Sequence, residues 1–489
     1  MKNIICIIAA AGLLLSACTD NADDKVITGD ASIDLSRNTV SFPASGGTAT
    51  IAVSTNSGSW EFTGETEWME ITKEGASMTI RAEENLSEEK DTAIITVKAG
   101  SGAEKYIYVT RESGNGTGVT PPPVNLSENG TANSYIVKTG GHYMFDATVK
   151  GNGYDLEVSG GLAGYIETFG VDISGIEIVD LMWESVFSGD RTASCDVIDG
   201  APRYENGHIY FKTGRSQGNA LIAARKIDST VLWSWHIWIL DDEITFSEGN
   251  GLQWMDRNLG AMNNTPADPA NRGLLYQWGR KDPFMPSKSE YEGYLNEFNG
   301  QTGDGKGAWD YTGFKALAHL RFPGNLPFAV EHPMTYILRH DGNSAATGPE
   351  DWYVYNINAP DAIQAFFWGD FTENPHKTIF DPCPPGYTVP NKNAFLVPDG
   401  APSPHITPGD YGFYWTVGSG DYFPMTGTIS QYSGKMQFSG INGKYWTKMQ
   451  HENSGISYYM YLRDGVGYLD YSYGQRSESA SVRCVKEVS

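Results

Sequence analysis

Thr48-Ala49-Thr50-Ile51-Ala52-Val53 follows a Gly46-Gly47 turn and carries apolar side chains at every second position. This spacing is typical of a β-strand with one buried face. Similar short runs recur through residues 31–112 and end with Tyr106-Ile107-Tyr108-Val109. About seven such strands in about 80 residues predict an immunoglobulin-like β-sandwich.

A change of composition ends this segment. Residues 113–123 are rich in glycine and then in proline, and they form a predicted linker that keeps its neighbours apart. Residues 124–250 contain further strand-like runs and are interpreted as a second β-sandwich domain. Residues 251–489 are the largest predicted unit. The chain is therefore predicted to be mainly β.

The run from Val231 to Ile239 lies near the end of the second predicted domain. Alternation along a strand places Trp233 and Trp235 on one face, and His236 on the other. Large side chains on both faces indicate a strand that is buried on both sides. We expect His236 to be a hydrogen-bonded structural histidine rather than a ligand or a base.

Composition narrows the choice of partners. The 489 residues carry a formal net charge of −24 and include 56 Gly, 27 Tyr, 20 Phe and 13 Trp. Aromatic and turn-forming residues in such numbers suit many short strands. Nucleic acid and anionic membrane surfaces repel an acidic protein, so neither is an expected partner. A glycan or a surface protein is expected instead.

The N-terminal residues predict export. Residues 1–17 have a charged start, an apolar run and small residues before Cys18, as in a signal peptide. Leu15-Ser16-Ala17-Cys18 resembles a bacterial lipobox, which implies a mature lipoprotein anchored through an acylated Cys18. The acidic tether of residues 18–30 is similar to the export tag of some surface lipoproteins of Gram-negative bacteria. We expect an outer-membrane lipoprotein exposed at the cell surface, with the lipid as its only membrane contact.

Three cysteines remain once Cys6 has been removed with the signal peptide and Cys18 has been acylated. Compartments outside the cytoplasm permit disulfides. We expect Cys383 and Cys484 to be paired, because both lie in the largest predicted unit, and Cys195 to be a buried free thiol. No histidine and cysteine spacing typical of a zinc site occurs, and no cofactor is expected.

Several features of residues 31–112 stand in a characteristic order. Asn56 is followed by Trp60, Trp68 precedes a hydrophobic strand, and the closing strand ends in Thr110-Arg111. This order resembles the BACON domain, a Bacteroidetes-associated, carbohydrate-binding, often N-terminal module. The resemblance implies a sandwich that spaces other domains from the cell surface. Trp60 and Trp68 could stack on sugar rings, but tryptophans in alternating strands more often fill the core, and we expect core packing.

A series of motifs runs in order through residues 251–489. They are residues 254–261 (WMDRNLGA), 273–283 (GLLYQWGRKDP), 381–390 (DPCPPGYTVP), 414–416 (YWT), 445–447 (YWT) and 481–485 (SVRCV). This succession is similar to the Fibrobacter-type major paralogous domain, whose plan is C-type lectin-like. Together with the preceding domain it resembles fimbrillin-like surface proteins. The resemblance implies an α+β lectin-like domain, with Tyr276-Gln277-Trp278 on a short helix and a terminal sheet built from the Tyr-Trp-Thr strands and residues 457–462.

Binding residues are less sharply indicated. None of the calcium-binding lectin motifs Glu-Pro-Asn, Gln-Pro-Asp and Trp-Asn-Asp occurs, Asn391 after Pro390 is the nearest match, and no metal site is predicted. Aromatic side chains would then provide the platform for a sugar. The candidate glycan platform consists of Trp352, Tyr353, Tyr355 and Trp368. The alternative is that these side chains are buried for stability. Asp256 and Arg257 are expected to form a structural pair.

These observations predict a non-catalytic surface lipoprotein that displays a lectin-like domain for glycan binding or adhesion. No catalytic residue is assigned, because no carboxylate pair, Gly-x-Ser-x-Gly elbow or phosphate-binding loop singles one out. One alternative is an accessory or tip subunit of a fimbria-like structure, for which strand donation would be the important property. The other is a component of a polysaccharide-degrading enzyme.

Overall fold

The computed structural model describes a defined part of the chain. These residues are 31–64, 66–85, 89–100, 103–114, 122–153, 161–185, 197–286, 315–317, 325–339, 351–353, 366–369, 377–396, 407–415, 419–432, 434, 436–451, 456–463 and 466–487. The chain divides into two compact units, residues 1–115 and residues 116–489. Their boundary falls inside the predicted linker.

The described part of the first unit consists of strands. They are β1 (Ile33–Leu35), β2 (Thr39–Phe42), β3 (Gly47–Thr55), β4 (Trp60–Thr63), β5 (Met69–Glu74), β6 (Ser77–Ala82), β7 (Asp91–Ala99) and β8 (Ala103–Arg111). One sheet has the strand order β1-β3-β6-β5 and the other the order β2-β8-β7-β4. Neighbouring strands are antiparallel except for β2, which runs parallel to β8.

Alternation places one face of each strand between the two sheets. Ile51 of β3 is buried and pairs with Met78 of β6, which is buried as well. Ile95 and Ile107 of the other sheet belong to the same core. Burial of each such side chain contributes about 1.5–3 kcal/mol, so this core holds the two sheets together. The sandwich predicted from the alternating sequence is confirmed.

Trp60 and Trp68 pack in or against this core. The Trp60 side chain is buried, and its indole Nε1 donates a hydrogen bond to the carbonyl of Gly75 at 3.2 Å. Trp68 is half-buried against the core. The guanidinium of Arg111 lies 4.8 Å from the centre of the Trp68 ring and also pairs with Asp91. Both tryptophans therefore pack as the sequence predicts.

The second unit begins with another pair of sheets. Its first described elements are β9 (Val124–Asn125), β10 (Ser134–Val137), β11 (His142–Asp146), α1 (Gly161–Phe169), β12 (Ile178–Ser185), β13 (Arg203–Glu205), β14 (His208–Lys212), β15 (Gly218–Arg225) and β16 (Val231–Ile239). The strand orders are β10-β16-β15-β12 and β13-β14-β11-β9. Phe145 of β11 packs on Trp235 of β16 with ring centres 5.1 Å apart, so the two sheets share a core.

Strand β16 joins this pair of sheets to the rest of the unit. The ring of Trp235 faces Phe145 in the neighbouring sheet, whereas the indole Nε1 of Trp238 donates to the carbonyl of Ala261 at 3.1 Å. His236 on the same face contacts Asn219, and Asn219 donates to the carbonyl of Gly260 at 2.9 Å. The boundary predicted at residue 250 therefore falls inside one compact unit, in which both faces of β16 are buried.

The remaining elements are short apart from three long strands. They are β17 (Phe246–Gly249), β18 (Leu252–Met255), a 3-10 turn (Pro269–Asn271), β19 (Leu275–Gln277), β20 (Lys315–Leu317), α2 (Asn325–Glu331), β21 (Thr335–Ile337), β22 (Tyr387–Thr388), a 3-10 turn (Lys392–Phe395), β23 (Thr407–Gly409), β24 (Gly412–Tyr414), β25 (Tyr422–Pro424), β26 (Thr428–Ile429), β27 (Met436–Gln437), β28 (Asn442–Gln450), β29 (Ile456–Arg463), β30 (Val466–Gln475), β31 (Ser479–Ser481) and β32 (Val485–Lys486). None of the helices in the described ranges is long and apolar enough to cross a membrane.

These strands form two larger sheets and several small ones. The orders are β19-β31-β28-β29-β30 and β17-β18-β32-β22, with small sheets β20-β21, β23-β24-β25 and β26-β27. The second Tyr-Trp-Thr motif and residues 457–462 lie side by side in β28 and β29, as predicted. The first motif instead begins in β24, in a separate small sheet.

The helix predicted at Tyr276-Gln277-Trp278 is absent. The local chain forms β19, in which Tyr276 pairs with Ala480 and Gln277 with Ser479. The amide Nε2 of Gln277 also donates to the carbonyls of Ile337 and Ser477, at 2.8 and 2.9 Å. These partners lie about 60 and 200 residues away. Contacts so distant in sequence override the local helical pattern.

Cys383 and Cys484 are joined by a disulfide, the pairing preferred from the sequence, with their Cα atoms 6.0 Å apart. Both side chains are fully buried. The bond ties the loop before β22 to the segment before β32, and these two strands are neighbours in one sheet. The disulfide therefore fastens the C-terminal segment into the core.

Candidate functional site

The predicted aromatic platform is buried. Trp352 and Trp368 are fully inaccessible, and Tyr353 is 8% exposed. The indole Nε1 of Trp352 donates to the carbonyl of Trp278 at 2.8 Å, and Trp368 packs on the same Trp278 ring with centres 5.8 Å apart. These three side chains cannot stack on a sugar, and the prediction is corrected for them. Tyr355 lies outside the described residues.

A buried ion pair lies beside these aromatic side chains. The guanidinium of Arg476 pairs with the carboxylate of Asp351 at 3.0 Å, and both are fully buried. Arg476 also lies 4.8 Å from the centre of the Trp278 ring. Burial raises the pKa of Asp351, and the charge of Arg476 offsets part of that rise. The aromatic cluster thus borders a buried charge pair, whose desolvation cost is partly offset by the mutual attraction of the two groups and by their further hydrogen bonds.

Other residues considered from the sequence are structural. Asp256 and Arg257 pair through two hydrogen bonds, and Arg257 also donates to the carbonyl of Met262. His236 is fully enclosed and shares a 2.8 Å hydrogen bond with Asn219, and burial lowers its pKa to about 3. Asn391 immediately precedes a 3-10 turn. Within the described ranges, no group of His, Cys, Asp and Glu is arranged to hold a metal ion.

Two of the predicted cysteines cannot be placed. Cys18, the predicted lipidation site, and Cys195, the predicted free thiol, both lie outside the described residues.

An open cleft is the best candidate for a binding site. Its volume is about 320 Å³. The lining residues come from the end of β10 and the residue after it, from the chain between β16 and β17, from the first residue of β17, and from β18 and β22: Ile136, Val137, Lys138, Leu240, Asp242, Glu243, Ile244, Phe246, Met255 and Tyr387. We call this set the edge cleft, because β10, β17 and β22 are all edge strands of their sheets.

The chain enters the edge cleft where the parallel pair of β10 and β16 ends. The backbone N–H of Leu240 donates to the carbonyl of Val137 and extends that pairing by one residue. Asp241 then accepts hydrogen bonds from the backbone and hydroxyl of Thr139, at 3.2 and 2.7 Å. This anchor fixes the turn that carries Asp242 and Glu243 into the cleft lining.

Two stacked rings form the aromatic part of the edge cleft. Phe246 and Tyr387 lie with ring centres 5.5 Å apart and planes inclined by only 6°. Phe246 is 44% exposed, so one stacked aromatic side chain is open to solvent. Tyr387 is half-buried beneath it, and burial raises the pKa of its hydroxyl. Tyr387 therefore stays protonated at neutral pH and can donate a hydrogen bond.

The position of Tyr387 is fixed by a buried lysine. The ammonium of Lys377 donates to the carbonyl oxygens of Tyr387 and Cys383 and lies 3.1 Å from the carboxylate of Asp381. Asp381 in turn accepts from the hydroxyl of Thr388, the residue after Tyr387. Because these groups are buried and mutually hydrogen-bonded, the backbone below the ring is held rigidly.

Charged groups line the same cleft as the aromatic pair. The side chains of Lys138, Asp242 and Glu243 are exposed to solvent at the cleft lining. The floor beside them is apolar and includes Leu240 and Met255, both buried. An aromatic face with carboxylate acceptors at its side suits a ligand that has both a C–H face and hydroxyl groups.

The sequence did not indicate this site. Tyr387 lies within the motif at residues 381–390 but carries no distinctive neighbours, and Phe246 stands in an acidic segment without a recognisable motif. Their partnership depends on a contact between residues 141 positions apart. The one local signal was Phe246 itself, a large apolar side chain after the acidic run Asp241-Asp242-Glu243.

Comparisons with known proteins do not name a family. No family model matches the chain, and no curated protein matches it. An NMR structure of a protein from Bacteroides thetaiotaomicron aligns with 19% of this chain and 98% of its own, at 14% identity and a TM-score of 0.16. A Bacteroides ovatus GH5 xyloglucanase aligns over 29% of this chain and 35% of its own, at 19% identity and a TM-score of 0.16.

A third solved structure is similar to this chain at a comparable TM-score. The Ig1-2 module of the Drosophila receptor protein tyrosine phosphatase DLAR covers 42% of this chain and 98% of its own, at 10% identity and a TM-score of 0.15. Scores of this size assign no function. The structure itself is that of a mainly β protein with sandwich units and an open aromatic cleft.

Proposed function

We propose that this chain is a non-catalytic surface lipoprotein whose edge cleft binds a neutral glycan. The observation that carries the proposal is the solvent-exposed Phe246 ring stacked on Tyr387. An aromatic face is complementary to the C–H face of a pyranose ring. Asp242 and Glu243 would accept hydrogen bonds from sugar hydroxyls, and the hydroxyl of Tyr387 would donate one.

The charge of the chain supports a neutral ligand over a polyanionic one. A net charge of −24 repels acidic polysaccharides as it repels nucleic acid. The cleft lining carries the two carboxylates of Asp242 and Glu243 and the one ammonium group of Lys138, so the local charge acts in the same direction. A neutral glycan meets no such repulsion and still satisfies the carboxylates through its hydroxyls.

The remaining parts of the chain have proposed roles in display. An acylated Cys18 would anchor the protein to the outer membrane, and the tether of residues 18–30 would extend it from the surface. The first unit would act as a BACON-type spacer. The second unit would present the edge cleft, and its C-terminal part would correspond to the lectin-like major paralogous domain.

Binding of the full chain, purified in detergent, to a panel of neutral and acidic polysaccharides tests the proposal. Phe246→Ala should weaken binding to neutral polysaccharides by about five- to thirtyfold, since a sugar-stacking ring contributes on the order of 1–2 kcal/mol. Phe169→Ala is the matched control, because Phe169 is 45% exposed, also packs on a tyrosine and lies outside the edge cleft.

Three results would contradict the proposal. The first is a folded chain that binds no neutral polysaccharide. The second is a Phe246→Ala variant with the affinity of the unmodified chain. The third is equal loss of affinity in the Phe246→Ala and Phe169→Ala variants.

A further inference from the structure

The hairpin of β23 and β24 has an unusual residue at its turn. Gly409 pairs with Gly412, so Asp410 and Tyr411 form a two-residue connection. Tyr411 has φ +56, in the left-handed region. A bulky side chain seldom adopts that region, where Gly or Asn is the usual occupant. The turn therefore places a tyrosine at the position where a glycine would be relaxed.

The flanking glycines have a different purpose. A Cβ atom on Gly412 would lie 2.4 Å from the Tyr422 hydroxyl oxygen, and one on Gly409 would lie 3.0 Å from the Tyr422 ring. These glycines let the Tyr422 ring lie directly on the hairpin backbone. Neither glycine has the left-handed conformation, which Tyr411 adopts instead.

Hydrogen bonds hold Tyr411 in this conformation. Its carbonyl accepts from the backbone N–H of Met425 at 2.8 Å, and the preceding carbonyl of Asp410 accepts from the hydroxyl of Tyr422. The Tyr411 side chain is nevertheless 45% exposed, so its ring recovers only part of the burial that would offset the strain. Strained residues that the surroundings hold in place occur preferentially where ligands bind.

We infer that Tyr411 is a second glycan-contacting residue, with the adjacent carboxylate of Asp410 as a hydroxyl acceptor. This inference rests on the proposed function. An exposed phenol ring beside an exposed carboxylate has the same chemistry as the edge cleft, and it takes the same class of ligand, a neutral sugar.

The hairpin is a separate contact surface. The hydroxyl of Ser247 in β17 donates to Asp421, the residue before β25, and β25 pairs with β24. Phe246, the preceding residue in β17, lines the edge cleft. Adjacent residues of a strand point to opposite faces, so the edge cleft and the hairpin lie on opposite sides of β17. Loss of one ring should leave the other site intact.

Three substitutions at Tyr411 in the full chain test this inference. Tyr411→Gly should raise the melting temperature of the second unit by about 1–3 °C, because it relieves the strain, and should weaken polysaccharide binding at least threefold. Tyr411→Asn, which tolerates the left-handed region, should weaken binding equally. Tyr411→Phe retains the ring and should bind within twofold of the unmodified chain.

The outcomes separate the two proposals. If the unmodified chain binds no neutral polysaccharide, both proposals are overturned. If binding falls with Phe246→Ala but is unchanged in Tyr411→Gly and Tyr411→Asn, only the role of Tyr411 is overturned. The same holds if Tyr411→Phe binds as weakly as Tyr411→Gly, because the ring would then not be the contacting group.

Discussion

Replacing Cys383 and Cys484 with alanine should destabilise the second unit without affecting the first. The disulfide closes a loop with a sequence separation of 101 residues. In the chain-entropy model, a crosslink of that span removes enough disorder from the unfolded chain to stabilise the fold by about 4.7 kcal/mol at 25 °C. Alanine avoids a buried hydroxyl at either position, so loss of the crosslink should dominate the change.

Denaturant titration, together with a separate calorimetric measurement, would determine this loss of stability. Two transitions are expected, because the first unit has its own core. The transition of the second unit should move to lower denaturant by an amount equivalent to about 4–5 kcal/mol. A reductant should shift the same transition in the unmodified chain but leave the double variant unchanged. A reductant effect of equal size in both proteins would refute the reasoning, as would a shift confined to the first unit.

Two further perturbations test the buried interior. Trp352→Ala should lower the unfolding free energy by about 3–5 kcal/mol, because it empties a fully enclosed site, and denaturant titration would measure the loss; a loss below about 1 kcal/mol would contradict the burial. His236 gives a pH dependence, since burial lowers its pKa to about 3 in the folded state while the unfolded chain keeps the ordinary value near 6.5. The unfolded state therefore holds more protons between these values, and the unfolding free energy should fall as pH drops from about 6.5 towards 3. A His236→Gln variant should show a shallower fall, and identical pH profiles would contradict the assignment.

The first unit was predictable because its information is local. Each strand carries its own alternation, and every buried position, such as Ile51 and Ile95, can be read from its immediate neighbours. A glycine and proline linker ends the segment. Short-range pattern and long-range packing agree there, which is the condition under which sequence reasoning succeeds.

The contacts across the boundary predicted at residue 250 are, by contrast, not local. The two-sided burial of β16 was recognised, but a strand buried on both faces does not reveal what covers each face. The covering groups include the carboxylate of Asp282, which accepts from Ser234, and the backbone carbonyl of Ala261, which accepts from Trp238. The pattern within β16 does not identify such distant partners, so these contacts could not be anticipated.

The aromatic platform illustrates a related ambiguity. A cluster of tryptophan and tyrosine residues is compatible with a sugar-binding surface and with a core. The observation that decides between them is burial by residues distant in the sequence, such as Trp278, whose carbonyl accepts from Trp352 across 74 residues. Only the folded chain brings these groups together. The sequence therefore indicated which residue types matter, but not which of them face solvent.

The edge cleft is formed by residues from both sides of the boundary predicted at residue 250. Ile136, Lys138 and Leu240 come from one side of residue 250, and Met255 and Tyr387 come from the other. Neither fragment alone contains both members of the Phe246–Tyr387 stack. A binding assay on residues 251–489 would remove Phe246 and the acidic residues together. The proposed glycan site therefore requires the intact second unit. Only a chain that retains the whole unit can test the proposal.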